Sequence, residues 1–424
     1  MKKTKLYSII FLSASLSSLL LFSTNAIAQA KKKVLFLGNS YTAYNNLPQL
    51  VADVALSAGD TVVFSSNTPG GYTFQGHSTN ATSLSLLAAG DWDHVVLQEQ
   101  SQLPSFPQGQ VATSCFPYAR ALDSIAQSLN PCVKSVFYMT WGRKNGDASN
   151  CATWPPVCTY SGMDSLLRLR YMQMAVDNDA MVNPAGAIWR HIRNNLPGIE
   201  LYQTDESHPS LAGSYATACG FYTVLFRNDP NLITTNAGLD PLMAAQIRQA
   251  AKAVAFDSLS TWLVGAYDAQ ASFNHTANGL QISFANNSTL ANDFWWDFGD
   301  GFTSSVTNPV HTYQNPGNYT VTLRASNCFS QDTIANVITV GTSGISELNS
   351  LPWVFPNPTY DKLQITDSKI TGVDVVSLEG KSLLKINEPV RELDLSALPN
   401  GFYMLKIYKN SETIFLKILK SSRD

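Results

Sequence analysis

Residues 33–40 read KVLFLGNS: a lysine, four apolar residues in a row, then Gly38, Asn39 and Ser40. A short continuous apolar run that ends in turn formers is the pattern of a strand buried on both faces, as in a parallel sheet. The same pattern recurs in TVVFSSN (61–67), DHVVLQEQS (93–101), SVFYMTWG (135–142) and IELYQTDESHPS (199–210). Between these lie segments of helical periodicity, among them LPQLVADVALSAG (47–59), PYARALDSIAQSL (117–129) and LLRLRYMQMAVDNDA (166–180). Strands alternating with helices from 31 to about 265 predict an α/β fold, a parallel sheet covered by helices on both faces. In such folds the working residues gather beyond the carboxyl ends of the strands. Gly38 to Ser40, Gln98 to Gln100 and Asp205 to His208 all fall at such ends and are expected on one rim.

The full length, 424 residues, exceeds one ordinary domain. A 45% hydrophobic share supports packed cores, and 14% charged with 11% aromatic residues argues against disorder. Net charge is −3 and the sole basic block is Lys31 to Lys33, so nucleic acid is not an expected partner. Lys2, Lys3 and Lys5 precede an apolar run at 7–22 and the small-residue exits Ala26-Ile27-Ala28 and Ala28-Gln29-Ala30. That arrangement predicts a signal peptide over 1–30 and an exported protein. Later segments lack the 18 uninterrupted apolar residues of a membrane span, so none is expected. Six cysteines then meet an oxidising compartment. Cys151 and Cys158, flanking CATWPPVC, are expected to be bridged. Cys115 and Cys132 are a second candidate pair across a predicted helix, with Cys219 and Cys328 left unpaired. The cysteine and histidine spacing fits no zinc site, so no metal is expected.

Beyond 268 helical periodicity gives way to two-residue alternation. LQISFANNS, DFWWDFGDGFTS, NYTVTLRASN and DTIANVITV predict a small antiparallel sandwich over 268–342. Residues 343–350, in the Ser- and Gly-containing stretch VGTSGISELNS, read as a linker. A second small β domain follows over 351–424.

A serine hydroxyl attacks well only when a base takes its proton, and that base is usually a histidine held by a carboxylate. Of six histidines, only His208 stands at a strand-to-helix junction with an acid, Asp205, three residues before it. Ser40, His208 and Asp205 are therefore the candidate nucleophile, base and orienting acid. The oxyanion formed on attack needs fixed N–H donors. Candidates are the Ser40 N–H, an N–H from Gly70 or Gly71 in NTPGGYTFQGH, and the side-chain amide of Gln98 or Gln100. Asn39, Trp141 and Arg143 are candidate substrate contacts on the same rim, Glu99 reads as structural rather than as a second acid, and His77 reads as a loop residue.

In this order, Gly-Asn-Ser after the first strand, a glycine loop after the second, an amide after the third and Asp-x-x-His late in the domain resemble the SGNH (GDSL-like) hydrolases over 31–265. The resemblance implies a flavodoxin-like fold, a secreted serine esterase acting without cofactor, and an acyl-enzyme at Ser40. The family's usual Gly-Asp-Ser is Gly38-Asn39-Ser40 here, and its usual Gly-x-Asn-Asp is replaced by LQEQS. Some carbohydrate acetylesterases have a Gln-Gly-Glu segment at that place, a likeness that favours Gln98 over Gln100 and an acetylated sugar as substrate. A lipase or lysophospholipase, or a non-catalytic glycan-binding surface protein, are the alternatives. WDFGDG, PVHTY and GNYTVTL resemble the PKD domain. VFPNPTYDKLQI, DVVSLEGK and LPNGFYMLKI resemble the sorting domain of type IX secretion, which implies that export machinery as a partner and a secreted or cell-surface location.

Overall fold

The computed structural model describes residues 29–341, 351–378, 380–409 and 412–422. The expected signal peptide, up to residue 28, and the linker at 343–350 lie outside the described residues. Two compact units emerge: residues 1–268 with 327–330, and residues 269–326 with 331–424.

The first unit is built on five parallel strands, β1 (Lys31–Leu37), β2 (Thr61–Asn67), β3 (His94–Leu97), β4 (Lys134–Tyr138) and β5 (Met181–Asn183). Their order, β2-β1-β3-β4-β5, is the flavodoxin-like one. Val34 pairs with Phe64 on one side and His94 on the other, and Val34 to Leu37 are fully buried, as the unbroken apolar run requires. Among the described residues, ten α-helices accompany the sheet: α1 (Ser40–Ala43), α2 (Leu47–Ser57), α3 (Phe74–Thr79), α4 (Ala81–Leu87), α5 (Gln108–Ser114), α6 (Phe116–Leu129), α7 (Tyr160–Asp177), α8 (Ala185–Asn195), α9 (Leu211–Phe226) and α10 (Pro241–Val254). The strand order reverses after β2, so right-handed crossovers put α2 on one face and α4, α6 and α7 on the other. Helix α9 returns to pack on α2 and α10. Its sequence, LAGSYATACGFYTVLF, is buried on all sides, as an all-round apolar helix must be.

Two expectations are corrected. The fifth strand is MVN at 181–183, whereas 199–210 forms only an isolated bridge, Tyr202 to Pro209. The three residues Met181–Asn183 are too short to carry a periodic signal. The second disulfide is Cys132–Cys328, not Cys115–Cys132. Those two cysteines lie beyond opposite ends of α6, whose 14 residues span about 21 Å. A disulfide bridges Cα atoms only about 6 Å apart. Cys115 is buried, its thiol 3.5 Å from Met174 Sδ, and Cys219 is free and buried as well. Cys151–Cys158 is bridged.

Among the described residues, the named strands of the second unit pair antiparallel. Strands β6 (Phe273–Asn278), β7 (Gln281–Asn286), β8 (Asp293–Asp297), β9 (Thr303–Ser304), β10 (Val310–Thr312), β11 (Gly317–Ser326) and β12 (Gln331–Val340) form sheets β10-β7-β6 and β12-β11-β8-β9 around Phe284, Trp296 and Leu323. In WDFGDG, Asp297 and Asp300 accept from Gly299 N and Phe302 N, so both acids serve the turn. Strands β13 (Val354–Phe355), β14 (Lys362–Ile365), β15 (Ile370–Val376), β16 (Ser382–Ile386), β17 (Glu392–Asp394), β18 (Gly401–Lys409) and β19 (Glu412–Lys420) form sheets β13-β14-β17 and β16-β15-β18-β19 around Leu363, Val375, Leu405 and Ile418. Among the described residues, no helix is long and apolar enough to cross a membrane.

Candidate active site

Strand β1 ends at Leu37, and Gly38 makes the turn possible. A Cβ on Gly38 would lie 2.4 Å from Thr42 Oγ1 and 2.8 Å from Gln98 Oε1, so only glycine fits the close approach. Asn39 then caps α1, its side chain accepting from Tyr41 N at 3.1 Å. Ser40 is the first helical residue, and its backbone N–H has no acceptor among the described residues.

The Ser40 hydroxyl lies 2.9 Å from His208 Nε2. His208 Nδ1 bonds Asp205 Oδ2, whose other oxygen accepts from Ser207 N at 3.0 Å and His208 N at 2.9 Å. Burial works to raise the Asp205 carboxyl, but the His208 imidazole and these two backbone N–H groups outweigh it and hold the carboxyl below its ordinary range. The loop is fixed from several sides. Glu206 takes a left-handed φ of 59°, Gln203 N donates to His208 O at 2.8 Å, and Lys144 N donates to Glu206 O at 2.9 Å.

Aromatic rings brace the triad. Tyr44 stacks on His208 with centroids 4.3 Å apart and planes 20° apart, and Tyr41 meets the same ring edge-on at 5.4 Å. Tyr41 also stacks on Trp141, which stacks on Trp189. Trp141 is fully buried and donates to Ser207 O at 3.1 Å. It thus supports the histidine loop from below, which corrects its place as a candidate stacking surface for substrate.

The loops expected to supply oxyanion donors sit around this core. Gly70 and Gly71, both exposed, form a turn closed by Tyr72 N to Pro69 O, with Gly71 at φ 68°. The turn is tied to the Ser40 turn through Asn39 Nδ2, which donates to Tyr72 O at 3.0 Å. Asn39 is only 2% exposed, so its amide is structural. Gln98 is fully buried: its Oε1 accepts from Asn39 N and Thr42 Oγ1, both at 2.9 Å, and its Nε2 donates to Glu99 O. Gln100 is the partly exposed amide of the two, its Oε1 accepting from Gln102 N and Leu103 N. Arg143 is partly exposed and paired with buried Asp147, which also accepts from Gln102 Nε2. His77 is fully buried, with Nε2 donating to Gly38 O at 2.9 Å and Nδ1 accepting from Ser83 Oγ at 2.7 Å. Burial lowers its pKa, outweighing the Gly38 carbonyl, which works to raise it.

Tyr44 and His77 were not legible as parts of the site. Tyr44 meets its partner across 164 residues, and no local pattern signals that. A cavity of about 370 Å³ opens elsewhere, among Lys32, His94, Lys134 and Arg227 at the amino ends of β1, β3 and β4. The candidate triad sits on an accessible rim, with His208 25% and Asp205 45% exposed. Among the described residues, no cluster of histidine, cysteine and acids could hold a metal ion.

Residues 266–340 match the PKD domain family, and residues 353–421 match the secretion system C-terminal sorting domain, which marks the chain for type IX export to the cell surface or beyond. Among solved structures, the chain is similar to a protein from Slackia heliotrinireducens provisionally described as an SGNH hydrolase, at 26% identity over 45% of this chain and 97% of that one, TM-score 0.38. A DUF4886 family protein from Bacteroides uniformis is 17% identical over 54% of this chain and 95% of its own, TM-score 0.46. The PKD1 domain of the Vibrio cholerae metalloprotease PrtV is 34% identical over 17% of this chain and 95% of its own, TM-score 0.16. No curated protein matches the chain.

Proposed function

We propose that this exported chain is a serine esterase that removes short acyl groups, acetyl foremost, from carbohydrate. The observation that carries the reading is the unbroken relay Ser40 Oγ, His208 Nε2, His208 Nδ1, Asp205 Oδ2. Ser40 Oγ attacks the ester carbonyl while His208 Nε2 takes the hydroxyl proton. Asp205 fixes the tautomer and balances the imidazolium. As the tetrahedral intermediate collapses, the carbon–oxygen bond to the alcohol breaks and His208 returns its proton to the leaving oxygen. Water, deprotonated by His208, then hydrolyses the acyl-enzyme and restores Ser40. The Ser40 N–H, an N–H of the Gly70–Gly71 turn and the Gln100 amide are the proposed oxyanion donors, because Gln98 is fully buried beneath the turn whereas Gln100 is partly exposed and would turn its amide from Gln102 Oε1, 3.1 Å away, to the oxyanion.

The accessible rim favours an ester carried on a bulky molecule, such as a polysaccharide, over an extended acyl chain needing an enclosed apolar cleft. The test is hydrolysis of p-nitrophenyl esters from acetate to long chains, together with acetylated xylan, by the protein and by Ser40→Ala. Acetate turnover that falls with chain length, and a loss of at least about a thousandfold in the variant, is expected. A preference for long chains would turn the reading to a lipase. Equal inertness of both proteins would end the esterase reading in favour of glycan binding.

A further inference from the structure

Directly behind the nucleophile turn lies an acid that the proposed relay does not use. Glu99 is fully buried two residues beyond the end of β3, where an ionisable side chain is retained only with specific partners. Its carboxyl oxygens accept from Phe74 N at 3.1 and 3.2 Å, and Oε1 also accepts from Gln100 N at 2.6 Å. Phe74 opens α3, three residues after Gly71, so it anchors the glycine turn that follows β2. Gln100 heads the loop that follows β3. One carboxyl group thus holds the backbones of both loops that flank Ser40.

The main chain of Glu99 extends the same junction. Its carbonyl accepts from Gln98 Nε2 and, at 3.5 Å, from Asn39 Nδ2, and its N–H donates to the Tyr171 hydroxyl at 3.2 Å. Gln98 and Asn39 in turn hold the Ser40 turn. With both oxygens engaged and no exposed surface, Glu99 cannot reach a substrate. An oxyanion hole is effective only if its donors are fixed before reaction.

We infer that Glu99 is a positioning residue, whose carboxyl clamps the post-β2 and post-β3 loops together and so sets the spacing of the oxyanion donors. The inference rests on the esterase reading. Three variants separate clamping from simple packing. Glu99→Gln keeps an oxygen able to accept both N–H bonds. Glu99→Leu keeps the volume and removes the acceptor. Glu99→Asp keeps the acid but withdraws it by one methylene.

The Leu and Asp variants are expected to lose about ten- to a hundredfold in kcat, with KM within about threefold, while Glu99→Gln recovers most of kcat. Amide exchange at Phe74 and Gln100 should quicken by about tenfold or more in the Leu and Asp variants, with β1 amides unchanged. Near-UV circular dichroism establishes that each variant is folded, and the Asp variant carries the test if Glu99→Leu is not. Equal loss of kcat in the Gln and Leu variants, or unchanged exchange at both amides, would overturn the clamp. Wild-type protein inert toward esters would end the esterase reading instead, while the exchange arm still decides whether Glu99 holds the two loops.

Discussion

Tyr44 is the residue whose place says most about how the base works. Its ring lies 4.3 Å from the His208 ring and is 38% exposed. In the proposed acylation His208 becomes an imidazolium, and an aromatic face on a cation is worth about 0.5–1 kcal/mol at an exposed site. Uncharged imidazole gains less from the stack, so the benefit falls on the transition state. Tyr44→Leu is therefore expected to lower kcat/KM about two- to fivefold, with Tyr44→Phe close to wild type. Ester hydrolysis by the two variants checks this. A Phe variant as impaired as the Leu variant would place the effect in the hydroxyl rather than the ring.

At the scale of the element, the decisive unit is β1 with its turn. Gly38 lets the chain pass so close to Thr42 and Gln98 that a methyl group would break the Thr42–Gln98 hydrogen bond. Gly38→Ala should destabilise the first unit by about 1–3 kcal/mol, as overpacking in a rigid site does, and should also lower kcat because Ser40 follows two residues later. A melting curve and esterase kinetics test both parts; an unchanged melt would show that the turn yields freely. Much of this element was legible in advance, because four buried apolar residues and a Gly-x-Ser turn are local signals. The same holds for Asp205 and His208, whose three-residue spacing sets up one bonded loop. What stayed hidden depends on contacts distant in sequence. The three-residue strand β5 is defined by its neighbour β4, and the choice between Gln98 and Gln100 depends on which side chain turns beneath Asn39. The partner of Cys132 is 196 residues away, and its identity follows from how the first unit is assembled.

At the scale of the whole first unit, two buried groups set how stability depends on pH. Burial dominates at Glu99, outweighing the N–H groups of Gln100 and Phe74 and the Cys115 thiol, and raises the carboxyl from 4.5 to about 8. Burial likewise dominates at His94, joined by Lys32, Arg227 and Lys134, and lowers its imidazole from 6.5 to about 3. Between 4.5 and 8 the folded chain holds the Glu99 proton that the unfolded chain has released, so stability falls as pH rises through that window. Between 6.5 and 3 the unfolded chain takes up a proton that folded His94 refuses, so stability falls as pH drops. Each slope is at most about 1.4 kcal/mol per pH unit. They oppose each other from 4.5 to 6.5, which predicts a plateau there with a decline on either side. Urea midpoints followed by near-UV circular dichroism of the stacked Trp141–Trp189 pair would trace this profile in the first unit. Glu99→Gln should flatten the alkaline limb and His94→Gln the acid limb. If Glu99→Gln leaves the alkaline limb as steep as before, Glu99 is ionised in the folded protein at neutral pH, and the loops it joins are held by a charged carboxylate rather than a neutral acid.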